Sequence, residues 1–252
     1  MTPPPDPAPS RPDRRAKDGR LLIWRHPGVV RLTHWINVAA IAVLLTSGAN
    51  ILAAHPHLYW GLKSTFADPW LSFPAIPEWV MLPPWRDLAQ GRRWHFFFAW
   101  VFVVNGLIYL TYSVISGRLR QTLEPTRREL AGFGGSVIEH ARLHFPRGEA
   151  ARRYNVIQKL TYLIVLLILL PLMVVTGLAM SPGMNAGFPG MLELLGGRQS
   201  ARTLHFLAAA GIVGFTVVHV VLVILAGFVA NMRGMITGWF PIENEVTPHD
   251  PS

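Results

Sequence analysis

Four long stretches of this chain contain no Asp, Glu, Lys or Arg, and they restrict its fold more than any other feature. They are residues 32–54, 94–116, 160–182 and 203–232. A hydrocarbon core about 30 Å thick is crossed by roughly 20 apolar residues in a helix. Each stretch is long enough for one crossing, so the expected fold is all-α, a membrane four-helix bundle of spans I to IV. Composition agrees, with 51% of the 252 residues hydrophobic and 15% charged, against about 25% charged in soluble domains. Span IV, the longest, is expected to tilt or to run beyond the bilayer.

The basic residues orient these spans, because Lys and Arg concentrate in cytoplasmic segments. Arg11, Arg14, Arg15, Lys17, Arg20, Arg25 and Arg31 precede span I. Arg118, Arg120, Arg127, Arg128, Arg142, Arg147, Arg152 and Arg153 lie between spans II and III. The 55–91 segment has only Lys63 and Arg86 against Asp68, Glu78 and Asp87, and the 183–202 segment has Arg198 and Arg202. Both termini are therefore expected in the cytoplasm, with Arg92 and Arg93 the one local exception. The Pro- and Arg-rich start (MTPPPDPAPSRPDRRAKDGR) lacks the apolar core of a secretory signal. The expected organisation is a disordered basic tail over 1–24, a transmembrane domain over 25–238 and a second cytoplasmic tail over 239–252. A net charge of +9 does not indicate nucleic acid, since the arginines are spread between spans rather than gathered on one face. The outer 55–91 loop carries Trp60, Trp70, Trp79 and Trp85 among several prolines. It suits an aromatic belt at the membrane surface and is compatible with a docking surface for an external partner.

Ionisable residues within spans are costly and tend to be functional. The four spans hold His34, His95, His205 and His219 with no charged partner of either sign. His205 and His219 are fourteen residues apart on span IV. At 3.6 residues per turn and 1.5 Å rise they share roughly one face, about 21 Å apart. Ala208 and Ala209 leave room beside His205 for a flat macrocycle, although small residues also serve simple helix packing. Topology gives each a counterpart at its own depth: His95 with His205 toward the outside, and His34 with His219 toward the cytoplasm. Two layers of paired histidines fit two six-coordinate haems. A zinc or di-iron centre would gather its ligands at one point, often with carboxylates, and a proton-coupled transporter would show acidic residues near the midplane. The absence of cysteine excludes thiolate-held clusters and covalent haem. His140 and His144 read as a solvated pair, His55 and His57 as loop residues, and His26 and His249 as flanking positions.

With these residues in view, the chain resembles the membrane cytochrome b subunits of formate dehydrogenase, nickel–iron hydrogenase and thiosulfate reductase. The resemblance covers roughly residues 25–238. It rests on RLTHW (31–35) with TSG (46–48), RRWHFFFAW (92–100), YNVIQK (154–159) leading to VTG (175–177), LHFLAAAG (204–211), His219 and RGMITG (233–238). It implies a multi-pass protein of the bacterial inner membrane that binds two non-covalent b haems and serves a respiratory chain. It also implies a quinone site by the cytoplasmic-side haem, with Asn155 in the matching position and Gln158 nearby; Asn155 also suits a helix cap. The outer-loop segment HPHLYWG (55–61) and GGRQSARTLHF (196–206) resemble the branch associated with a periplasmic, sulfite-oxidase-like molybdopterin oxidoreductase. The expected role is electron transfer between quinone and such a partner, rather than catalysis by the chain alone. Two other readings are a stand-alone quinol oxidoreductase that reduces a small acceptor at the outer haem, and a haem-free membrane anchor.

Overall fold

The computed structural model describes residues 12–16, 19–73, 75–120, 124–126, 129 and 156–242. Its helices in chain order are α1 (Gly28–Ala54), α2 (Leu88–Ile115), α3 (Val156–Met180), α4 (Pro182–Gly187), α5 (Gly190–Leu194), α6 (Arg198–Leu225) and α7 (Phe228–Thr237). Its strands are β1 (Arg14–Arg15), β2 (Leu21–Trp24), β3 (His57–Leu58), β4 (Leu71–Ser72) and β5 (Trp239–Ile242). Helices α1, α2, α3 and α6 are the four that are long and apolar enough to cross a membrane. Each starts a turn or more before its charge-free stretch, because a helix can begin outside the hydrocarbon where a cap is available. At α2 that cap is Asp87, whose Oδ1 accepts the Gln90 N–H at 2.9 Å.

Two of the long helices are interrupted. Span IV was expected to continue through Met232, but α6 ends at Leu225. Gly227 then takes a left-handed φ of 105°, which ends the helix, and α7 restarts at Phe228. Within α3, residues Val165–Leu169 form a π-helical turn closed by the Leu170 N–H on the Val165 carbonyl. Pro171 follows immediately; it has no N–H to give and its ring presses on the preceding turn, a recognised cause of such irregularity.

The chain divides into two compact units. The unit comprising Thr33–Ile108 and Ile164–Val217 assembles portions of all four long helices and holds β3 paired with β4. Its interior mixes apolar side chains with an unusual number of polar ones, and its surface is largely apolar. Thr33, Ser47, Asn50, Asn105, Thr176, Ser200 and Thr203 are buried, while Phe97, Leu107, Leu167 and Val217 are exposed. Such a distribution suits lipid, where apolar side chains gain nothing by turning inward and polar groups must find one another.

Asn50 closes the end of the α1–α2 pair next to the 55–87 loop: its Nδ2 donates to the carbonyls of Pro83 at 3.1 Å and Trp85 at 2.8 Å, and its Oδ1 accepts the Asp87 N–H at 3.3 Å. A Cβ on Gly91 would stand 3.1 Å from the Asn50 Cβ, so the two helices approach closely here. The start of α6 is fastened to the outer loop in the same manner. Thr203 Oγ1 donates to the Tyr59 carbonyl at 2.7 Å, the Gly61 N–H donates to Ser200 Oγ at 2.7 Å, and the Arg202 guanidinium donates to the carbonyls of His55 and His57.

The other unit comprises Met1–Leu32, Tyr109–Leu163 and Val218–Ser252. Here β1, β2 and β5 form an antiparallel sheet in that order, with Trp24 opposite Trp239. Leu22, Ile23 and Ile242 are buried, and Arg14 and Arg25 lie over the rings of Trp239 and Phe240. Residues 21–24 were expected within a disordered tail and 239–242 within a second cytoplasmic tail; they are paired strands. Their runs of Leu, Ile, Trp and Phe fit a pleated, half-buried surface. Pro241 is tolerated because β5 is an edge strand. The all-α expectation holds for the membrane-spanning part, to which these short sheets are added.

Candidate functional site

His95 stands about two turns into α2, and His205 stands about two turns into α6. Their rings face each other with centroids 6.2 Å apart and planes inclined by 61°. Each is held at Nδ1 by a hydroxyl from a neighbouring helix. Ser47 Oγ on α1 is 3.1 Å from His95 Nδ1, and Thr176 Oγ1 on α3 is 2.9 Å from His205 Nδ1. Glycines follow both hydroxyl residues. A Cβ on Gly48 would stand 3.5 Å from His95 Cε1, and one on Gly177 would stand 3.5 Å from His205 Cε1. These are ordinary contact distances for one carbon, so anything larger than alanine would displace the ring. The α1–α2 arrangement is thus repeated by α3–α6, with hydroxyl, glycine and histidine in equivalent roles. Ser47 and Thr176 are fully buried, which protects both hydrogen bonds from competing water.

The arrangement fits an iron porphyrin. A metal–imidazole bond of about 2 Å, with about 1 Å from Nε2 to the ring centre on either side, places two axial rings about 6 Å apart, matching the spacing here. With Nδ1 occupied, Nε2 is the remaining ligating atom of each ring. Among the described residues no group of three or more His, Cys, Asp or Glu side chains converges, so the donor set is a facing pair of imidazoles, as a macrocycle-bound metal requires.

The remaining expected residues are distributed as follows. His34 lies on α1 in the same unit, half-buried, its ring edge-on to Trp35 at 5.5 Å. Near it, the buried Asn105 of α2 donates from Nδ2 to the Thr33 carbonyl at 2.8 Å and to Asn37 Oδ1 at 2.7 Å. His219 is half-buried on α6 in the other unit. Gln158 is half-buried in the first turn of α3. Asn155, His140 and His144 lie outside the described residues. His57 Nδ1 pairs with Ser72 Oγ at 2.9 Å in the outer loop. Ser47 and Thr176 went unassigned from sequence, although each sits in a motif read above. The usable signal was a buried-span hydroxyl followed by glycine, occurring once in span I and once in span III.

A paired-imidazole centre between apolar helices defines a membrane cytochrome b. A family model described as prokaryotic cytochrome b561 matches residues 25–238, and the chain belongs to that family. It is a multi-pass protein of the bacterial inner membrane. It is 32% identical over 212 residues to the proposed protein-methionine-sulfoxide reductase subunit YedZ1 of Azospira oryzae, a match covering 83% of this chain and 96% of the relative. No solved structure gives a significant match.

Proposed function

We propose that this chain is the membrane electron-transfer subunit of an oxidoreductase complex. It holds two b-type haems, one between His95 and His205 and one between His34 and His219, and links the quinone pool to a periplasmic, molybdopterin-dependent partner. The observation that carries the reading is the facing pair His95 and His205, whose ring centroids 6.2 Å apart would leave room for one metal ion between them, and which are held at Nδ1 from two further helices. Similarity to a relative named as a reductase subunit supports an external partner. It also favours outward flow, in which quinol gives up two electrons and two protons and the partner's substrate takes up the electrons. Haem, when bound, supplies one-electron carriage between buried sites. The protein's own part is to present Nε2 of each imidazole, to hold the rings at fixed spacing and to keep water out. In this reading the quinone site lies beside the cytoplasmic-side haem, with Asn155 in the matching position and Gln158 nearby, and both termini are in the cytoplasm.

The test is a reduced-minus-oxidised spectrum with haem quantification on the purified chain. Two b haems per chain are expected, His95→Ala or His205→Ala should remove one, and His34→Ala or His219→Ala the other. Colourless protein, or unchanged haem content in all four variants, would overturn the reading.

A further inference from the structure

The two hydroxyls against the facing histidines do more than fill space. Each has a single proton, and the structure shows where it goes. Ser47 Oγ lies 2.6 Å from the Val43 carbonyl, and Thr176 Oγ1 lies 2.6 Å from the Leu172 carbonyl. A carbonyl can only accept, so in both cases the hydroxyl donates to its own helix. The oxygen then has only lone pairs to offer the imidazole, and Nδ1 of His95 and of His205 must be the donor. A neutral imidazole carries one N–H; with that proton on Nδ1, the Nε2 lone pair is free for a metal. Two backbone carbonyls, acting through two hydroxyls, thus select the tautomer at both rings.

The same bonds have an electronic consequence. An acceptor at Nδ1 raises the basicity of the ligating nitrogen. A more basic axial ligand favours the more highly charged ferric iron and lowers the potential. The hydroxyl is a weaker acceptor than a carboxylate, and its polarity is reinforced by the short bond it gives to the main chain, since consecutive hydrogen bonds polarise one another. We propose that Ser47 and Thr176 are positioning residues that fix the ligating tautomer of His95 and His205 and hold down the reduction potential of the iron between them. This rests on the assignment of that histidine pair to haem.

The test separates the two ideas by reading haem content and potential independently in the purified full-length chain. Ser47→Ala and Thr176→Val remove the hydroxyl acceptors and leave only the main chain at Leu44 and Met173 beside the rings, while Ser47→Thr and Thr176→Ser keep the hydroxyls. The expected result is that the first two retain both haems, with the midpoint potential of one of them shifted upward and its low-spin ferric paramagnetic-resonance signal altered. The shift should be larger in the double variant and absent in the hydroxyl-keeping variants. Loss of one haem in Ser47→Ala or Thr176→Val but not in Ser47→Thr or Thr176→Ser also supports positioning. Full haem content with wild-type potential and signal in Ser47→Ala and Thr176→Val overturns the inference while leaving the haem assignment standing. So does equal haem loss in all four. Haem content unaffected by His95→Ala and His205→Ala removes the assignment itself.

Discussion

At the scale of single residues, buried polar side chains rather than apolar ones determine this molecule. Asn50 shows why. It is 1% exposed and satisfies two carbonyls and one N–H from the segment entering α2, so it fixes the height at which His95 begins its climb. Leucine there would keep the branched shape and strand all three backbone groups; at about 1 kcal/mol or more for each buried group left unpaired, Asn50→Leu should cost roughly 2–4 kcal/mol. The fall in thermal midpoint for haem release, followed optically in detergent, measures it, and an unchanged midpoint would contradict this account. Glu129 makes a second case. Burial pushes its carboxyl up, but the hydrogen bond and charge of Lys159 and the bonds from Thr126 outweigh this and hold it below its ordinary value of 4.5. A depressed acid contributes stability that is present above the ordinary value and is lost as pH falls through the lower folded one. Glu129→Gln should therefore destabilise the chain at neutral pH by about 1–3 kcal/mol, by removing the charged partner of a buried ammonium. It should also flatten the acid limb of the stability–pH curve, and an acid limb identical to wild type would count against the pair.

Among the elements, the spans were legible and their ends were not. Charge-free runs locate a crossing because the cost of a buried charge is large and depends on composition alone. The ends depend on local bonds such as the Asp87 cap and the reversed φ at Gly227, neither of which leaves a hydropathy signal. The β2–β5 pairing joins strands over two hundred residues apart in sequence, and a four-residue run of LLIW or WFPI cannot announce its partner. Its turn from α7 depends on Gly238, whose φ is 88° and where a Cβ would stand 2.6 Å from Trp24 Cζ3 and 2.8 Å from the His26 carbonyl. Gly238→Ala should thus break the close packing of Trp24 on Trp239 and cost at least about 1–2 kcal/mol through strain and displaced contacts. Tryptophan fluorescence and protease sensitivity at the termini report it; a variant with wild-type emission and digestion pattern would show that the strand pair accommodates the methyl group. The histidine pair was legible for a related reason. Imidazole in an uncharged span stands out by chemistry, whereas Ser47 and Thr176 are compatible with any packed helix until their partners are seen.

For the whole molecule, the electron-transfer reading depends on which side of the bilayer His95 and His205 occupy. Both stand about two turns into helices whose starts adjoin the 55–87 loop, and that loop carries exposed tryptophans, among them Trp79 at 81% exposure. Aromatic side chains of this kind settle at the headgroup level, so this histidine pair lies within a few turns of one membrane surface. The basic residues place that surface outside, because the segments on the opposite side carry most of the arginines. A phosphatase that folds only outside the cytoplasm, inserted after Ala67, should then be active, and the same reporter joined after Ser252 should be inactive. The reverse pattern would turn the His95/His205 pair toward the cytoplasm and place the basic segments outside. An external oxidoreductase could not then take electrons from this pair, whatever its haem content, and the partner would have to be sought among cytoplasmic enzymes.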